Sequence, residues 1–486
     1  MKTLKTVSTI EKVTSVCSWF VFMVSLMTTG LVFGDQDADD APNLGMRSIR
    51  ITSLCSSGSP IIPGIPEVPP PASVADPNCP TVPTQATSPN SRWSYDISWF
   101  NPVTQKYYLA DRNNKGVDIV DTKTDAIVGQ ATGFVGVVAS PPNSAGPNGV
   151  VVTNYPNQLW AGDGNGDIRV YSLDKNGVPT SNTPFRIISH TETGALRRAD
   201  ELAYDPDHQL ILMAWDDDLD LFVAFISVSS NPNNIKVMKK ISLPDATGGI
   251  EQPVYDHELR RFFVAVPATT AHPNGELAKF NPVTLARETG IGLDGTGCFP
   301  HGLALGPREN LLVGCSADGP AGTKLNSLIV KATTGKIIAT ITQVGGNDEV
   351  WYNWGDNNYY LGASSNTTGG CTPPLPAGTV GGCKGGTANP VLGIVDAGRA
   401  DSGPEGPQWI QNIKTVAGAH SVAAVFGFRC DRDDRDRDDW HRRGCDRDDI
   451  DRDDIVRNRV YVPLATVPVT GTATEPGGIG VYGRIP

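Results

Sequence analysis

The sequence predicts an all-β fold, a seven-bladed β-propeller of four-stranded antiparallel blades. Seven times, a polar residue precedes a short apolar run and a turn, at intervals of 52, 52, 51, 50, 47 and 72 residues. A period of roughly 40 to 50 residues with several short strands per unit is typical of propellers. The chain has 52 glycines and 38 prolines, with Val, Ile and Tyr in the short strands, which favours the same fold class. We call the seven polar residues the ring positions: Asp96, Asn148, Asp200, Glu251, His301, Asp348 and His420.

The first 91 residues are predicted to precede the propeller. Three lysines come before an apolar stretch over 16–33, the pattern of a secretory signal peptide at 1–34. An uncleaved anchor is the alternative, because the stretch nearly reaches the roughly 18 apolar residues of a membrane span. Residues 35–91 form an acidic, proline-rich leader. We expect a secreted or periplasmic protein, in contact with a membrane only if the signal segment is retained.

The propeller itself is predicted over residues 92–486. Blade 7 is one strand short, and propellers commonly close with a strand from the other terminus, which leaves no open sheet edge. The predicted donor lies around residues 49–51, and a disordered leader is the alternative. The predicted strands of blade 1 are 97–100, 106–110, 117–121 and 126–129.

Two insertions, at 364–389 and 431–454, interrupt the period. The first is rich in glycine and carries two cysteines, which indicates a stapled loop. The second holds 12 Asp and 7 Arg, a local charge of −5. It could bind a cation or a partner, but a solvated loop in which Arg neutralises adjacent Asp is the favoured interpretation. Replacing it with a short Gly-Ser link is predicted to change the melting temperature little.

Eight cysteines follow the predicted signal peptide, an even number that indicates disulfides in an exported chain. No pair has Cys-x-x-Cys spacing, so a structural zinc site is not expected. Connectivity stays open in the sequence, and local pairing predicts the bridges Cys55–Cys79, Cys298–Cys315, Cys371–Cys383 and Cys430–Cys445.

The formal charge of −12 argues against nucleic acid as a partner, because phosphate binding needs a basic face. A small-molecule or protein ligand at the top face of the channel and a monomeric state are expected instead. The segment DGNGD at 163–167 has the spacing of a calcium loop but lacks the distal Glu, so a hairpin turn explains it better.

The ring positions are expected to converge on one axis, because the first strand of every propeller blade lines the channel. Four carboxylates, one amide and two imidazoles would then face each other, and protonation or a bound cation must relieve the repulsion. Oxygen ligands suit Ca²⁺, Mg²⁺ or Mn²⁺, and imidazole shifts the preference toward Zn²⁺ or Mn²⁺. The predicted metal ligands are Asp96, Asn148, Asp200, Glu251, His301 and Asp348.

His301 and His420 are also the predicted catalytic residues, because an imidazole titrates near neutral pH and can act as a general base. Replacing either Glu251 or Asp200 is expected to abolish any effect of metal on the melting temperature. The competing interpretation is a hydrated polar channel whose side chains only bond the blades together.

The residue after each ring position defines a second layer. Two of its members, Glu201 and Glu349, could add outer-shell contacts to a metal. Strand alternation predicts instead that they point away from the channel.

Short motifs give the chain a resemblance to known propellers. The segments YYLAD at 107–111, VDIVDT at 117–122 and NRVYV at 458–462 resemble the YVTN-type repeat. The segment PHGLA at 300–304 is similar to the inner-strand start of NHL, virginiamycin B lyase and gluconolactonase-like propellers. The resemblance implies a divalent metal on the axis, held by Glu, Asn, Asp or His. The chain departs from carotenoid-oxygenase propellers, which need four axial histidines.

Two functions follow from these observations. The first is an exported metal-dependent hydrolase or lyase that acts on a small lactone, ester or cyclic substrate. The second is a non-catalytic propeller that binds a ligand or protein through its top-face loops. Fold alone does not decide between them.

Overall fold

Seven four-stranded antiparallel sheets form the described part of the chain, which confirms the predicted all-β seven-bladed propeller. The innermost strand of each blade contacts that of the next, and the strand of blade 7 contacts that of blade 1. The predicted signal peptide, the insertion at 431–454 and Cys55, Cys79, Cys371, Cys430 and Cys445 lie outside the described residues. The computed structural model describes residues 44–50, 93–138, 144–216, 221–370, 382–426, 458–468 and 474–484.

The first four blades run outward from the channel through successive hairpins. Each second strand is buried along its length, as in Leu210–Trp215, because it packs between two neighbouring blades. Fourth strands such as Val237–Ser242 face solvent and are half exposed. Blade 1 has strands Tyr95–Asn101, Lys106–Asp111, Gly116–Asp121 and Ala126–Thr132; blade 2 has Val150–Asn154, Asn157–Gly162, Ile168–Ser172 and Arg186–Ile188; blade 3 has Leu202–Asp205, Leu210–Trp215, Phe222–Ser227 and Val237–Ser242; blade 4 has Pro253–Asp256, Arg261–Val266, Glu276–Asn281 and Ala286–Gly292.

Blades 5 and 6 follow the same plan and are joined by small accessory sheets. Lys324–Leu325 pairs with Gly382–Cys383, so the loop inserted in blade 6 docks on blade 5. Thr367–Thr368 pairs with Thr387–Ala388 inside that insertion. Short helices occur at His190–Thr193, Pro232–Asn234 and Pro307–Glu309. Blade 5 has strands Pro300–Leu305, Asn310–Cys315, Ser327–Lys331 and Ile337–Ile341; blade 6 has Val350–Asn353, Asn358–Ala363, Val391–Asp396 and Gln408–Lys414.

Blade 7 takes its outermost strand from the N-terminal side of the chain. Its own strands are Ala423–Val425, Arg459–Pro468 and Thr474–Arg484. Leu44–Arg50 pairs antiparallel with the last of these, in register from Leu44 opposite Arg484 to Arg50 opposite Gly478. The strand lies where the sequence places the closing donor, near residues 49–51. This remote strand supplies the fourth strand of blade 7, so the blade has no missing strand.

The hydrophobic core is divided among the interfaces between neighbouring blades. Trp160 of blade 2 and Trp215 of blade 3 lie in one such cluster and are both fully buried. Truncating either indole to Ala is expected to cost about 3–5 kcal/mol, because a large cavity would open between two blades. The segment 163–167 makes the predicted turn: Asp163 accepts hydrogen bonds from the Val135 and Gly164 amides and from Arg169.

A disulfide joins Cys298 to Cys315, as predicted, with an S–S distance of 2.03 Å and a Cα–Cα distance of 5.0 Å. It forms at the end of blade 5 where Pro300 pairs with Cys315. Cys383 is also disulfide-bonded, and its predicted partner lies outside the described residues.

Within the described ranges, the structure contains no helix long and apolar enough to cross a membrane.

Candidate metal centre in the channel mouth

The ring positions and the second layer lie where the innermost strands are irregular. In blades 3, 4 and 6 these strands begin only at Leu202, Pro253 and Val350, after both layers. In blades 1 and 5 the strand begins earlier, but its register shifts across these two positions. The alternation of a regular strand therefore does not apply here. This is why the prediction that the second layer points away from the channel fails for Glu349, whose contacts are given below.

Three ring side chains from adjacent blades form a cluster of potential metal ligands. They are Glu251 of blade 4, His301 of blade 5 and Asp348 of blade 6, and one ligand atom from each lies within 4.8 Å of the others. Nδ1 of His301 is 3.5 Å from Oε1 of Glu251 and 3.3 Å from Oδ1 of Asp348. We call these three residues the triad.

The spacing of the triad fits a divalent cation. Metal–ligand bonds of about 2.0–2.2 Å place neighbouring ligands about 3.0–3.5 Å apart in tetrahedral or octahedral geometry. One imidazole and two carboxylates suit Zn²⁺ or Mn²⁺ better than the oxygen-only preference of Ca²⁺ or Mg²⁺. Three protein ligands leave coordination positions free for water or a ligand, as catalytic rather than structural sites do.

Without a cation, the triad is an ion-pair network centred on His301. Burial alone would lower the pKa of His301, but the negative charges of Glu251 and Asp348 raise it to about 9. The two carboxylates therefore favour the protonated form of the imidazole. Its Nε2 is buried and has no hydrogen-bond partner among the described residues, so the polar contacts of the imidazole are made through Nδ1.

Two arginines occupy the other half of the mouth. Arg112 donates to Asp96 and to Oδ1 of Asn148, the latter over 2.6 Å. Arg198 pairs with Asp200 over 2.6 Å and with Asp96 over 3.0 Å. Asp96, Asn148 and Asp200 thus contact guanidinium groups and lie outside the triad, although the sequence predicts them as metal ligands.

Neither arginine has a predicted role in the sequence. Arg198 precedes the ring position Asp200 by two residues, and Arg112 follows the last residue of the second strand of blade 1. The signal that could have found them is spatial: the second strand runs back toward the mouth, so the residue after it returns to the ring. A basic side chain two residues before a ring position, or directly after a second strand, therefore lies beside the ring carboxylates.

The arginines have unequal effects on the pKa values of Asp96 and Asp200. Burial would raise the pKa of Asp96, but the charges of Arg112 and Arg198 hold it well below its usual range. Burial raises the pKa of Asp200 to about 7, because Arg198 opposes this shift only in part and Asp96 adds a nearby negative charge.

The charges of the ring are balanced by protein groups. Cationic side chains of the chain itself therefore reduce the predicted repulsion among the ring carboxylates. Protonation also contributes, because burial and neighbouring carboxylates raise the pKa of Glu251 well above its usual value. The four ring carboxylates are faced by four groups that can carry positive charge: Arg112, Arg198, His301 and His420.

His420 lies between the two halves of the mouth. Its ring stacks on Tyr95 with centroids 4.9 Å apart, and Nδ1 lies 2.8 Å from the Gly418 carbonyl. Because a carbonyl only accepts, Nδ1 carries a proton and Nε2 is the atom that gains or loses one. Nε2 is 3.5 Å from Oδ1 of Asp96. Burial would lower the pKa of His420, but Asp96 and Asp348 raise it above its usual value.

A polar cavity of about 160 Å³ opens beside Asp348 and His420. Loops of blades 5 and 6 form its walls. Lys384 of the docked insertion donates to the Gly319 carbonyl over 2.6 Å and so helps fix the blade 5 loop. The cavity joins a triad ligand to the second predicted catalytic histidine and is lined by Ser316, Asp318, Gly346, Asn347, Asp348, Ser364, Ser365 and His420.

The second layer ties blades together across the channel. Oε1 of Gln252 accepts from the amides of Leu303, over 2.8 Å, and Val350, over 3.3 Å. Oε2 of Glu349 accepts from the Val422 amide over 3.0 Å and from the Ser98 amide over 3.3 Å. Glu349 of blade 6 thus contacts the innermost segments of blades 7 and 1, which places its side chain on the channel side, where it is 1% exposed.

Comparison with known proteins adds little to the geometry. No protein-family model matches the chain, and no curated protein matches it. The resemblance to YVTN- and NHL-type repeats therefore stays a prediction. A crystal structure of a mitotic checkpoint complex is similar to this chain, with 10% identity and a TM-score of 0.48. The match covers 80% of this chain and 89% of that chain.

Proposed function

We propose that this chain is an exported propeller protein that binds a divalent cation through Glu251, His301 and Asp348. The observation that carries the proposal is the triad: three ligand atoms from three adjacent blades, within 4.8 Å of one another, at the mouth of a channel. The disulfide Cys298–Cys315 supports export, because such bonds persist in oxidising compartments.

We further propose that the site serves a metal-assisted hydrolase or lyase acting on a small lactone, ester or cyclic substrate. A bound divalent cation supplies polarisation of a carbonyl or activation of water. The polar cavity next to Asp348 has room for a small ligand at the top face. His420 lines that cavity, and its Nε2 can exchange a proton, so it is the residue that would accept and return one.

A non-catalytic ligand-binding propeller is the second candidate. One observation favours it: the protein supplies its own countercharges to the ring carboxylates, as the pairs of Arg112 and Arg198 with Asp96 and Asp200 show. In that case the mouth would be a polar docking surface for a small molecule or protein, and a cation would be dispensable.

The deciding experiment is metal analysis of the purified full chain before and after chelation. We expect a bound divalent metal, a lower melting temperature after chelation and recovery with Mn²⁺ or Zn²⁺, because a ligand that binds only the native state stabilises it. Glu251→Gln should lose this recovery. A metal-free protein whose melting is indifferent to chelator and to added cations would contradict the cation site.

Catalysis is tested separately with a panel of small lactones and esters. If the site is catalytic, His420→Ala should lower kcat by about 10²–10⁴-fold, the usual contribution of a general base. His257→Ala is the control, since that histidine is 21% exposed and lies beside Glu258, outside the mouth. Cation binding without turnover of any member of the panel would favour the second candidate.

A further inference from the structure

The polar cavity beside the triad has no apolar side chain in its walls. Its lining residues are three serines, two aspartates, an asparagine, a histidine and a glycine. None of them is a lysine or an arginine. Such a cavity favours a small polar ligand over an apolar one, because an apolar ligand would leave the polar groups of the walls without hydrogen-bond partners.

The carboxylate of Asp318 is held at this cavity by its own loop. The Ser316 hydroxyl donates to Oδ2 of Asp318 over 3.3 Å and accepts from the Asp318 amide over 3.2 Å. The loop directly follows the disulfide-bonded Cys315. On its other side, Lys384 donates to the Gly319 carbonyl over 2.6 Å. The position of the Asp318 carboxylate is therefore set by the protein before any ligand binds.

Asp318 differs from the other carboxylate of the cavity in having no cationic partner. Asp348 lies 3.3 Å from Nδ1 of His301. Within the described residues, no lysine, arginine or histidine forms an ion pair with Asp318. The Lys384 ammonium bonds instead to main-chain carbonyls, those of Gly319 and, over 3.4 Å, of Asp318 itself. The Asp318 carboxylate is partly exposed and lines the cavity, so it is available to a ligand.

The charge and the hydrogen-bonding groups of the cavity fit an amine. A protonated primary amine has three donors and no acceptor, and the walls offer carboxylate and hydroxyl oxygens that accept. An anionic ligand would instead meet the negative charges of Asp318 and Asp348. Charge complementarity of this kind decides which ligands a site accepts.

We propose that the cavity recognises the protonated amine of a small ligand, and that Asp318 is the residue that binds it. Asp348 of the triad and His420 line the same cavity, so a ligand held at Asp318 has its remaining atoms near these two residues. For turnover, this inference rests on the proposed function: the substrate would be a small ester or lactone that bears an ammonium group. Binding of the amine itself depends on neither metal nor catalysis.

The binding test uses two probes with the same carbon skeleton, serinol and glycerol. They differ only at the central carbon, which bears an ammonium group in serinol and a hydroxyl in glycerol. Dissociation constants are measured by ligand-observed NMR with the purified full chain at low ionic strength, where charge pairs are least screened. We expect serinol to bind about 10- to 100-fold more tightly than glycerol, because hydrogen bonds between charged groups are stronger than those between neutral ones.

Three variants identify the group that binds the amine. Asp318→Asn should abolish the preference for serinol and leave the melting temperature unchanged, since the amide oxygen can still accept from Ser316. Asp318→Glu keeps the charge and should keep part of the preference. Asp207→Asn is the matched control, because it removes a negative charge from an exposed turn between the first two strands of blade 3. Absence of serinol binding, equal affinity for the two probes, or a preference that survives Asp318→Asn would overturn the inference.

A second experiment separates this inference from the proposed function. It compares turnover of the methyl ester of β-alanine with that of its hydroxyl analogue. We expect a higher kcat/KM for the amine ester, and Asp318→Asn should raise KM for that ester alone. Equal kcat/KM values would overturn the inference and leave the proposed hydrolase intact. Serinol binding through Asp318 in a chain that binds no divalent metal would support the inference and overturn the proposed function.

Discussion

The two halves of the channel mouth place different cationic side chains beside their buried carboxylates. In blades 1 to 3, Asp96 and Asp200 are neutralised by Arg112 and Arg198, whose charges are permanent. In blades 4 to 6, Glu251 and Asp348 share the single positive charge of His301, which can be lost. We call these the arginine half and the histidine half.

This difference indicates which half of the channel mouth can bind a metal ion. A metal ion cannot replace a proton of a guanidinium group, because arginine stays protonated in proteins. It can displace the proton of an imidazole and then bind the freed nitrogen. The ring is therefore divided into a structural half and a half able to exchange a proton for a metal.

The largest effect is expected from breaking the arginine half. Arg198→Ala leaves Asp96 and Asp200 with fewer countercharges in a buried setting, which should cost about 3–5 kcal/mol of unfolding free energy in chemical denaturation. Arg186→Ala is the matched control, because Arg186 pairs with the more exposed Glu192. That change should cost at most about 1 kcal/mol. Equal losses for the two variants would remove the distinction between a structural ion pair and a surface one.

The disulfide gives the histidine half a covalent support. Cys298 precedes His301 by three residues and closes a loop with a sequence separation of 17. Replacing both Cys298 and Cys315 with Ser should cost about 3 kcal/mol of stability in denaturant unfolding. The same variant should bind Mn²⁺ more weakly, while the wild type in oxidising buffer serves as the control. Unchanged metal affinity would show that the strand holding His301 needs no cross-link.

Metal binding should separate the two halves directly. The sequence predicts that loss of Glu251 or of Asp200 abolishes the metal response, but the structure places only Glu251 in the triad. Saturating metal, at about 100 times Kd, should add about 2.7 kcal/mol to wild-type stability. This gain should persist in Asp200→Asn and vanish in Glu251→Gln, as measured by thermal unfolding with and without Mn²⁺. Loss of the gain in both variants would restore the complete ring as the metal site.

A dependence of stability on pH is expected inside the arginine half. Burial raises the pKa of Asp200 from 3.8 to about 7, so folding takes up a proton between these values. A carboxyl group with a raised pKa contributes stability below its unfolded pKa and loses it as pH rises toward the folded one. Asp200→Asn should therefore remove a decline in stability between about pH 4 and pH 7, measured by denaturant unfolding across that range. An unchanged slope would assign the proton uptake to another group.

The number of blades and their strands could be read from the sequence because both depend on local signals. The repeat interval sets the blade count, and turn residues set the hairpins. The outermost strand of blade 2, Arg186–Ile188, lacks such a signal, because three residues are too few to show a period. The closing strand was expected from a different argument: a missing partner in blade 7 and the cost of an open edge.

The site was only partly predictable, for a geometric reason. A fixed step from each turn identifies Glu251, His301 and Asp348, because equivalent strand starts converge on one axis. The fixed step does not identify the arginines, since Arg112 follows the far end of a second strand. The direction of Glu349 was also not predictable, because side chains alternate between faces only inside a regular strand.

The sequence by itself determined the seven repeats, the polar residue at the start of each, and the local disulfide between Cys298 and Cys315. Only the tertiary structure decided which ring residues share a countercharge and which share a candidate cation. Local sequence patterns indicate which side chain each blade contributes to the channel. The partners of a charged side chain depend instead on packing between blades, as the contacts of Arg112 and Arg198 with ring residues of other blades show.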